Sequence, residues 1–419
     1  RGGSRRGMGN PAFMTLVKRQ LRQEYSADDL NEAGLNVFTT LDLDLQEHAE
    51  IAVEEALVRI ESGGRRDGLQ AAVVVVDPSS GEILGLIGDR SPTFSGFNRA
   101  LDARRPIGSV IKPFVYAYAL SQPDKYALFS PLADEAITYT DDEGNVWEPS
   151  NFDEREHGQV SLLEALTRSY NLATVNLALD LKLERIRDYL QSLGFREGLP
   201  AYPSLVLGAV EMTPMELTAL FSALANDGYQ VPLRAISNVT SRDGRKLKRY
   251  GLQLRSVMDP ETAALIRFAL SRVVSQGTAR AVSLALPEVQ PLAGKTGTSN
   301  DNRDSWFAGF GANRLGVVWV GRDDNGMTGL TGSSGALPVW NAVIKGAGIA
   351  PLAQRLPEGL SWEWVDLGQG VGVPARCPNG ERIPVHRRTF LQHVEHCEAL
   401  PPPAGRGGVI DRLKEFFRP

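Results

Sequence analysis

Three short groups of residues follow one another along the chain: Ser109-Val110-Ile111-Lys112, Ser169-Tyr170-Asn171 and Lys295-Thr296-Gly297. A serine hydroxyl becomes a strong nucleophile only when a neighbouring base takes its proton, and a neutral lysine amine is such a base. On a helix, Lys112 falls one turn after Ser109 and within reach of its hydroxyl. Gly108 precedes this pair and Pro113 follows it. Proline has no N–H and fits a helix only in its first turn, so the helix starts at or next to Ser109. The serine then feels the positive end of the helix dipole, which favours an alkoxide. Taken alone, the pattern fits a capping serine followed by an exposed lysine equally well. Residues 114–120 argue against that: they are apolar around the whole helix, so the helix is buried, and a lysine on it needs a function. Burial and a second cation both disfavour the ammonium form, and Lys295 is the candidate for that cation. Lys112 then takes the Ser109 proton as Ser109 attacks a carbonyl.

The other two groups complete an acyl-transfer site. Ser169 is expected to bridge Lys112 and Lys295 and to pass a proton to a leaving amine, and Asn171 to bond a substrate amide; by themselves they read as a polar cap. Lys295, Thr296 and Thr298 offer a charge and two hydroxyls for a carboxylate. Gly297 leaves room for a ligand backbone lying along the strand. The N–H groups of Ser109 and Thr298 are the expected oxyanion donors.

The surrounding pattern predicts the elements that hold these groups. Pro11 opens a helix with Phe13, Leu16, Val17 and Leu21 on one face. A short strand follows at 36–40, then a helix capped by Asp42 or Asp44 and ended by Gly63-Gly64. Residues 71–76 and 82–88 form a hairpin around Asp77-Pro78-Ser79-Ser80-Gly81. The middle is helical: 110–120, then 161–179, then a helix to about 226 opened by the capping box Thr213-Pro214-Met215-Glu216. Strands return at 293–299, 305–310 and 315–321. Two early and three late strands around a helical middle predict an α/β chain of the α+β type, with a five-stranded antiparallel sheet flanked by helices. The expected division is a linker or pedestal over 1–66, the catalytic domain over 67–349 and an extension over 350–419. That extension is rich in Pro and Gly and has few periodic apolar positions; residues 409–417 form a short amphipathic stretch.

Composition excludes several classes. The net charge of −5 gives no bulk basic field for nucleic acid; the arginines of 1–6 read as a solvated start. No apolar run approaches the ~20 residues of a membrane helix. Cys377 and Cys397 are the two cysteines; their clustering fits one disulfide in an oxidising compartment, two unrelated thiols being the alternative. His386, His393 and His396 with these cysteines match no zinc spacing, and no phosphate loop or G-x-S-x-G elbow is present, so no metal or cofactor is expected.

The S-x-x-K, S-x-N and K-T-G set is shared by penicillin-binding proteins and class A β-lactamases. Around it, Arg104-Arg105-Pro106-Ile107-Gly108-Ser109, Ala165-Leu166-Thr167-Arg168-Ser169-Tyr170-Asn171 and Ala293-Gly294-Lys295-Thr296-Gly297-Thr298, followed by Asp304-Ser305-Trp306-Phe307-Ala308-Gly309, resemble class A penicillin-binding proteins. Pro11-Ala12-Phe13-Met14 and the Cys377/Cys397 tail resemble the 1b type. The resemblance implies the penicillin-binding and serine β-lactamase-like fold. It implies a D,D-transpeptidase in which Ser109 is acylated by a D-Ala-D-Ala stem peptide, with meso-diaminopimelate as the expected acceptor amine. β-Lactams are the implied inhibitors, other cell-wall synthesis proteins the implied partners, and the periplasm the implied compartment. The membrane helix and glycosyltransferase domain of such proteins are not found in this sequence, so it is expected to be the C-terminal portion of an inner-membrane protein, without glycan polymerisation. A D,D-carboxypeptidase, a β-lactamase and a β-lactam-sensing domain are the alternatives.

Overall fold

The computed structural model describes residues 10–26, 34–64, 67–140 and 144–397. The arginine-rich start at 1–6 and the amphipathic stretch at 409–417 lie outside the described residues. The elements that matter for the site are helices α1 (Pro11–Glu24) and α2 (Leu43–Ser62), strands β1 (Gln70–Val76) and β2 (Ile83–Ile87), helices α3 (Lys112–Leu120), α4 (Leu162–Arg168), α5 (Asn171–Leu181), α6 (Pro214–Ala225) and α7 (Pro260–Ser275), strands β3 (Ala293–Thr298), β4 (Ser305–Phe310) and β5 (Leu315–Gly321), and helix α8 (Ala336–Lys345). Three strands follow: β6 (Leu360–Asp366), β7 (Val371–Gly372) and β8 (Gly380–His386).

The central sheet has five strands in the order β3-β4-β5-β1-β2, every pair antiparallel. The late strands are joined by short turns and β5 closes on β1, so the two ends of the chain build one sheet. Strands β4 and β5 are buried at every position, as expected for a sheet covered on both faces. On one face lie α2 and α8; the ring of His48 bonds the Ala342 carbonyl at 2.9 Å, joining the two helices. On the other face lie α6 and the helical middle of the chain, with α7 running beside β3. Among the described residues no helix is long and apolar enough to cross a membrane.

Local chemistry accounts for the boundaries. The Asp42 side chain accepts from Leu45 N and caps α2, and the capping box of Thr213 and Glu216 is formed at α6. Asp77 accepts from the N–H groups of Ser79 and Ser80, closing the turn between β1 and β2.

One expectation needs correction. Residues 161–179 are two helices, because Ser169 takes a left-handed conformation (φ 63°, ψ 38°) and ends α4. Helix α2 lies within the range 1–66 expected to be a linker or pedestal, and it forms part of the layer over the sheet: Gln46 bonds both the N–H and the carbonyl of Leu86 in β2. The Pro- and Gly-rich tail beyond 350 contains regular structure. Strands β6–β8 form a small sheet in the order β7-β6-β8, seated on α7 through an edge-to-face contact of Trp362 with Phe268 and an ion pair of Arg272 with Glu381. Cys377 and Cys397 are joined in a disulfide beside it.

Candidate active site

Ser109 lies in a single 3-10 turn, Gly108–Ile111, that runs directly into α3 with Pro113 in its first turn. The first N–H groups of a helix have no partner within it; here that of Gly108 is taken by the Gly208 carbonyl at 3.1 Å, which anchors the turn beside the hydroxyl. Gly108 has φ +56° and lies against β3: a Cβ there would be 2.2 Å from the Thr298 carbonyl oxygen. No other residue tolerates both the backbone conformation and the contact. Gly297 serves the same junction from the strand. The space its Cβ would fill is taken by the Ile107 carbonyl, at 2.5 Å, and by Val110. Gly297 thus admits the turn that carries Ser109. Trp306 on β4 ties the turn further, donating from Nε1 to the Pro106 carbonyl at 2.9 Å.

Lys112 and Lys295 are both 0% exposed. Lys112 Nζ donates to the carbonyls of Ser169 at 2.7 Å and Tyr170 at 3.0 Å and to Asn171 Oδ1 at 2.7 Å, with Ser169 Oγ at 3.4 Å. Lys295 Nζ donates to Ser169 Oγ at 2.9 Å and to the Thr296 carbonyl at 3.0 Å. Ser169 thus stands between the two lysines. Its left-handed backbone puts it there: the N–H of Ser169 and that of Tyr170 close a Schellman turn onto Leu166 and Ala165. Such a conformation is strained for serine and persists only where its surroundings impose it.

Burial, repulsion from Lys295 and an opposing attraction from Asp134 together hold the Lys112 ammonium well below the ordinary lysine value. The oxygens around Nζ work the other way, since three acceptors match the three protons of an ammonium. A neutral amine still donates two of those bonds, so the cage favours the ion by about one bond, whereas burial acts on the full charge. The net direction is downward. Burial alone pushes Lys295 down to about 7.

Asn171 has two partners within the protein, and Ser109 lacks the expected contact with Lys112. The Asn171 amide accepts from Lys112 and donates to the Ser150 carbonyl at 2.8 Å, which leaves one N–H for a substrate. The bonds of Lys112 go to the Ser169–Asn171 segment, none to Ser109. Lys112 must give up one of these acceptors to turn a lone pair toward the serine. Catalytic hydrogen bonds often tighten only with substrate present.

The strand side offers the expected carboxylate partners in one row. Thr298 Oγ1 accepts from Gly332 N at 3.0 Å and keeps its proton for a ligand. Thr296 Oγ1 lies 2.7 Å from Thr278 Oγ1. Thr278 was not singled out in the sequence, and neither were Asn151 and Asp134, whose side chains hold the start of α5. None of the three belongs to a recognisable motif.

Residues 71–336, more than half of the chain, match the family described as "Penicillin binding protein transpeptidase domain". The chain is 37% identical over 376 residues to penicillin-binding protein 1B of Escherichia coli, covering 89% of this chain and 44% of that protein. It is 36% identical over 393 residues to penicillin-binding protein 1B of Vibrio cholerae, covering 93% and 50%. The chain therefore spans about half the length of these curated relatives. The solved structure of penicillin-binding protein 1A from Haemophilus influenzae superposes with a TM-score of 0.84 at 21% identity, over 91% of this chain and 76% of that one. PonA1 of Mycobacterium tuberculosis in complex with penicillin V gives 0.69 at 23%, over 83% and 95%.

Proposed function

The chain belongs to the penicillin-binding protein transpeptidase family, and on that footing we propose that it is a peptidoglycan D,D-transpeptidase with Ser109 as nucleophile. The observation that carries the reading is the meeting of three sequence-distant motifs around one hydroxyl. Ser169 Oγ lies between two wholly buried lysines, 2.9 Å from one and 3.4 Å from the other, beside the turn that bears Ser109.

Lys112 takes the Ser109 proton, and Ser109 Oγ attacks the carbonyl of the D-Ala-D-Ala bond. The oxyanion is held by the N–H groups of Ser109 and Thr298. Ser169 relays the proton from Lys112 to the leaving amine, and the bond to the terminal D-Ala breaks. An amine of a second stem peptide then attacks the acyl-enzyme. Its nitrogen bonds the acyl carbon, the ester bond to Ser109 Oγ breaks, and the proton it loses passes by the same route to Oγ, restoring the Ser109 hydroxyl. Thr296 and Thr298 bond the donor carboxylate. Lys295 gains positive charge as that carboxylate arrives, because an adjacent anion favours the ammonium. A β-lactam places its own carboxylate and carbonyl in the same positions and stays attached to Ser109. The three-domain reading (1–66, 67–349, 350–419) serves this site as support, catalytic unit and extension. The disulfide between Cys377 and Cys397 favours an oxidising compartment, in keeping with work in the periplasm beside other cell-wall synthesis proteins.

The test is turnover of a pentapeptide ending in D-Ala-D-Ala with an amine-bearing acceptor peptide. D-Ala release with formation of a peptide dimer is expected. Release without dimer would replace the reading by a carboxypeptidase, and rapid hydrolysis of a chromogenic β-lactam would replace it by a β-lactamase.

A further inference from the structure

Helix α5 starts in an unusual way. Its N-cap is Tyr170, the middle residue of the S-x-N group, whose side chain makes no capping bond. The four N–H groups at a helix start need partners, and here each has one. Tyr170 N donates to the Ala165 carbonyl at 2.9 Å. Asn171 N and Leu172 N both donate to Asn151 Oδ1, at 2.6 and 3.2 Å. Ala173 N donates to Asp134 Oδ1 at 2.8 Å. Two side chains from elsewhere in the chain thus replace the local cap.

Both are buried, Asp134 at 0% and Asn151 at 3% exposure. Asp134 ends the strand Pro131–Asp134, paired with the strand Gly158–Ser161. Its second oxygen accepts from Asn151 Nδ2 at 2.7 Å, from His157 N at 3.2 Å and contacts His157 Nδ1 at 2.7 Å. The His157 ring stacks on Tyr170, with centroids 4.0 Å apart and planes 16° from parallel, and reaches Asp153 at 3.2 Å with its other nitrogen. The result is a braced start of α5. It leaves the Asn171 side chain and the Ser169 and Tyr170 carbonyls, the three close acceptors of Lys112, free of any capping duty.

We infer that Asp134 and Asn151 are positioning residues for the general base: they cap α5 from outside and thereby fix the three oxygens that hold Lys112 Nζ. The inference rests on Lys112 being the base of the proposed reaction. A rigid cap matters because a base displaced by an ångström loses on the order of 10²-fold in rate, while a cap that only stabilised the helix would leave the chemistry of each folded molecule untouched.

The experiment uses Asp134→Asn, His157→Phe and Lys112→Ala in the whole chain, with a fluorescent penicillin as probe. End-point labelling counts the competent sites, and stopped-flow separates the dissociation constant of the reversible complex from the acylation rate constant per competent site. Asp134→Asn keeps the shape but sets an amide N–H against donors. It is expected to lower the rate constant per site by about 10- to 10²-fold, with the dissociation constant changed by less than about 3-fold. His157→Phe keeps a ring on Tyr170 and removes one bond to Asp134. Since His157 is half-buried, this variant carries the test if Asp134→Asn does not fold, with an expected loss of below about 10-fold in the same constant. Wild-type rate constants per site in the folded variants, with only a lowered melting midpoint, would overturn the inference. Lys112→Ala separates the two levels. A fast Lys112→Ala removes the base assignment and this inference with it. A slow Lys112→Ala beside wild-type rates in the other two removes the inference alone.

Discussion

Lys295→Met tests the electrostatics of the site through stability rather than through rate. Lys295 is wholly buried, and burial pushes its ammonium down to about 7 from an ordinary value of 10.5. In the unfolded chain the ammonium is in water and keeps the ordinary value. Between these two pH values the unfolded chain holds a proton that the folded chain has released, so stability rises with pH across that window. The penalty is fully present below about 7 and is gone above 10.5. At about 1.4 kcal/mol per pH unit the whole window amounts to on the order of 5 kcal/mol, of which about 2 kcal/mol falls between pH ~7.5 and ~9. Methionine has a similar length and no charge. Lys295→Met is therefore expected to be more stable relative to the native chain near pH ~7, by a margin that shrinks by about 2 kcal/mol toward pH ~9. Loss of the repulsion also lets Lys112 keep its proton more readily. Denaturant midpoints and slopes, measured for both proteins at several pH values, give the difference directly. A margin independent of pH would mean that folded Lys295 keeps its proton throughout. Ser169 would then face a permanent cation and the proposed proton uptake on carboxylate binding would fall.

Lys112→Ala is expected to slow acylation by penicillin by ~10²- to 10⁴-fold, the usual cost of losing a general base; stopped-flow rates near those of the native chain would reassign the base to Ser169 or a water. Removal of the Cys377–Cys397 bridge, which closes a separation of 20 residues, is expected to cost the small β6–β8 sheet roughly 3 kcal/mol. Hydrogen exchange in that sheet should rise while the acylation rate stays unchanged. A parallel loss of penicillin binding would tie the sheet to the site through α7.

Much of the site was legible because its residues are forced into view by conflict with their surroundings. A lysine on a helix that is apolar all round, as Lys112 is, has to be explained by chemistry. The late strands were equally plain, since β4 and β5 are bounded by turns and carry near-continuous apolar residues. The break at Ser169 was hidden because the left-handed position that ends a helix usually signals itself by glycine, and here serine occupies it under constraint from Lys112 and Lys295. At Gly297 the sequence shows that a side chain is missing but not that the Ile107 carbonyl fills the space it would take. The β6–β8 sheet escaped notice because Leu360-Ser361-Trp362-Glu363-Trp364 alternates over only five residues within a Pro- and Gly-rich tail, and because its packing partner α7 lies far away in sequence. Asp134 and Asn151 cap a helix that starts well beyond them, and a cap supplied from outside leaves no local pattern.

The nucleophile can be tested in one step. The chain is exposed to benzylpenicillin, digested and mapped by mass spectrometry, beside Ser109→Ala treated identically. A single penicilloyl adduct on the peptide containing Ser109, absent from a folded Ser109→Ala, is the predicted result. An adduct on another residue, or one that persists at full yield in Ser109→Ala, would contradict the assignment of Ser109 and with it the roles given to Lys112, Ser169 and Lys295.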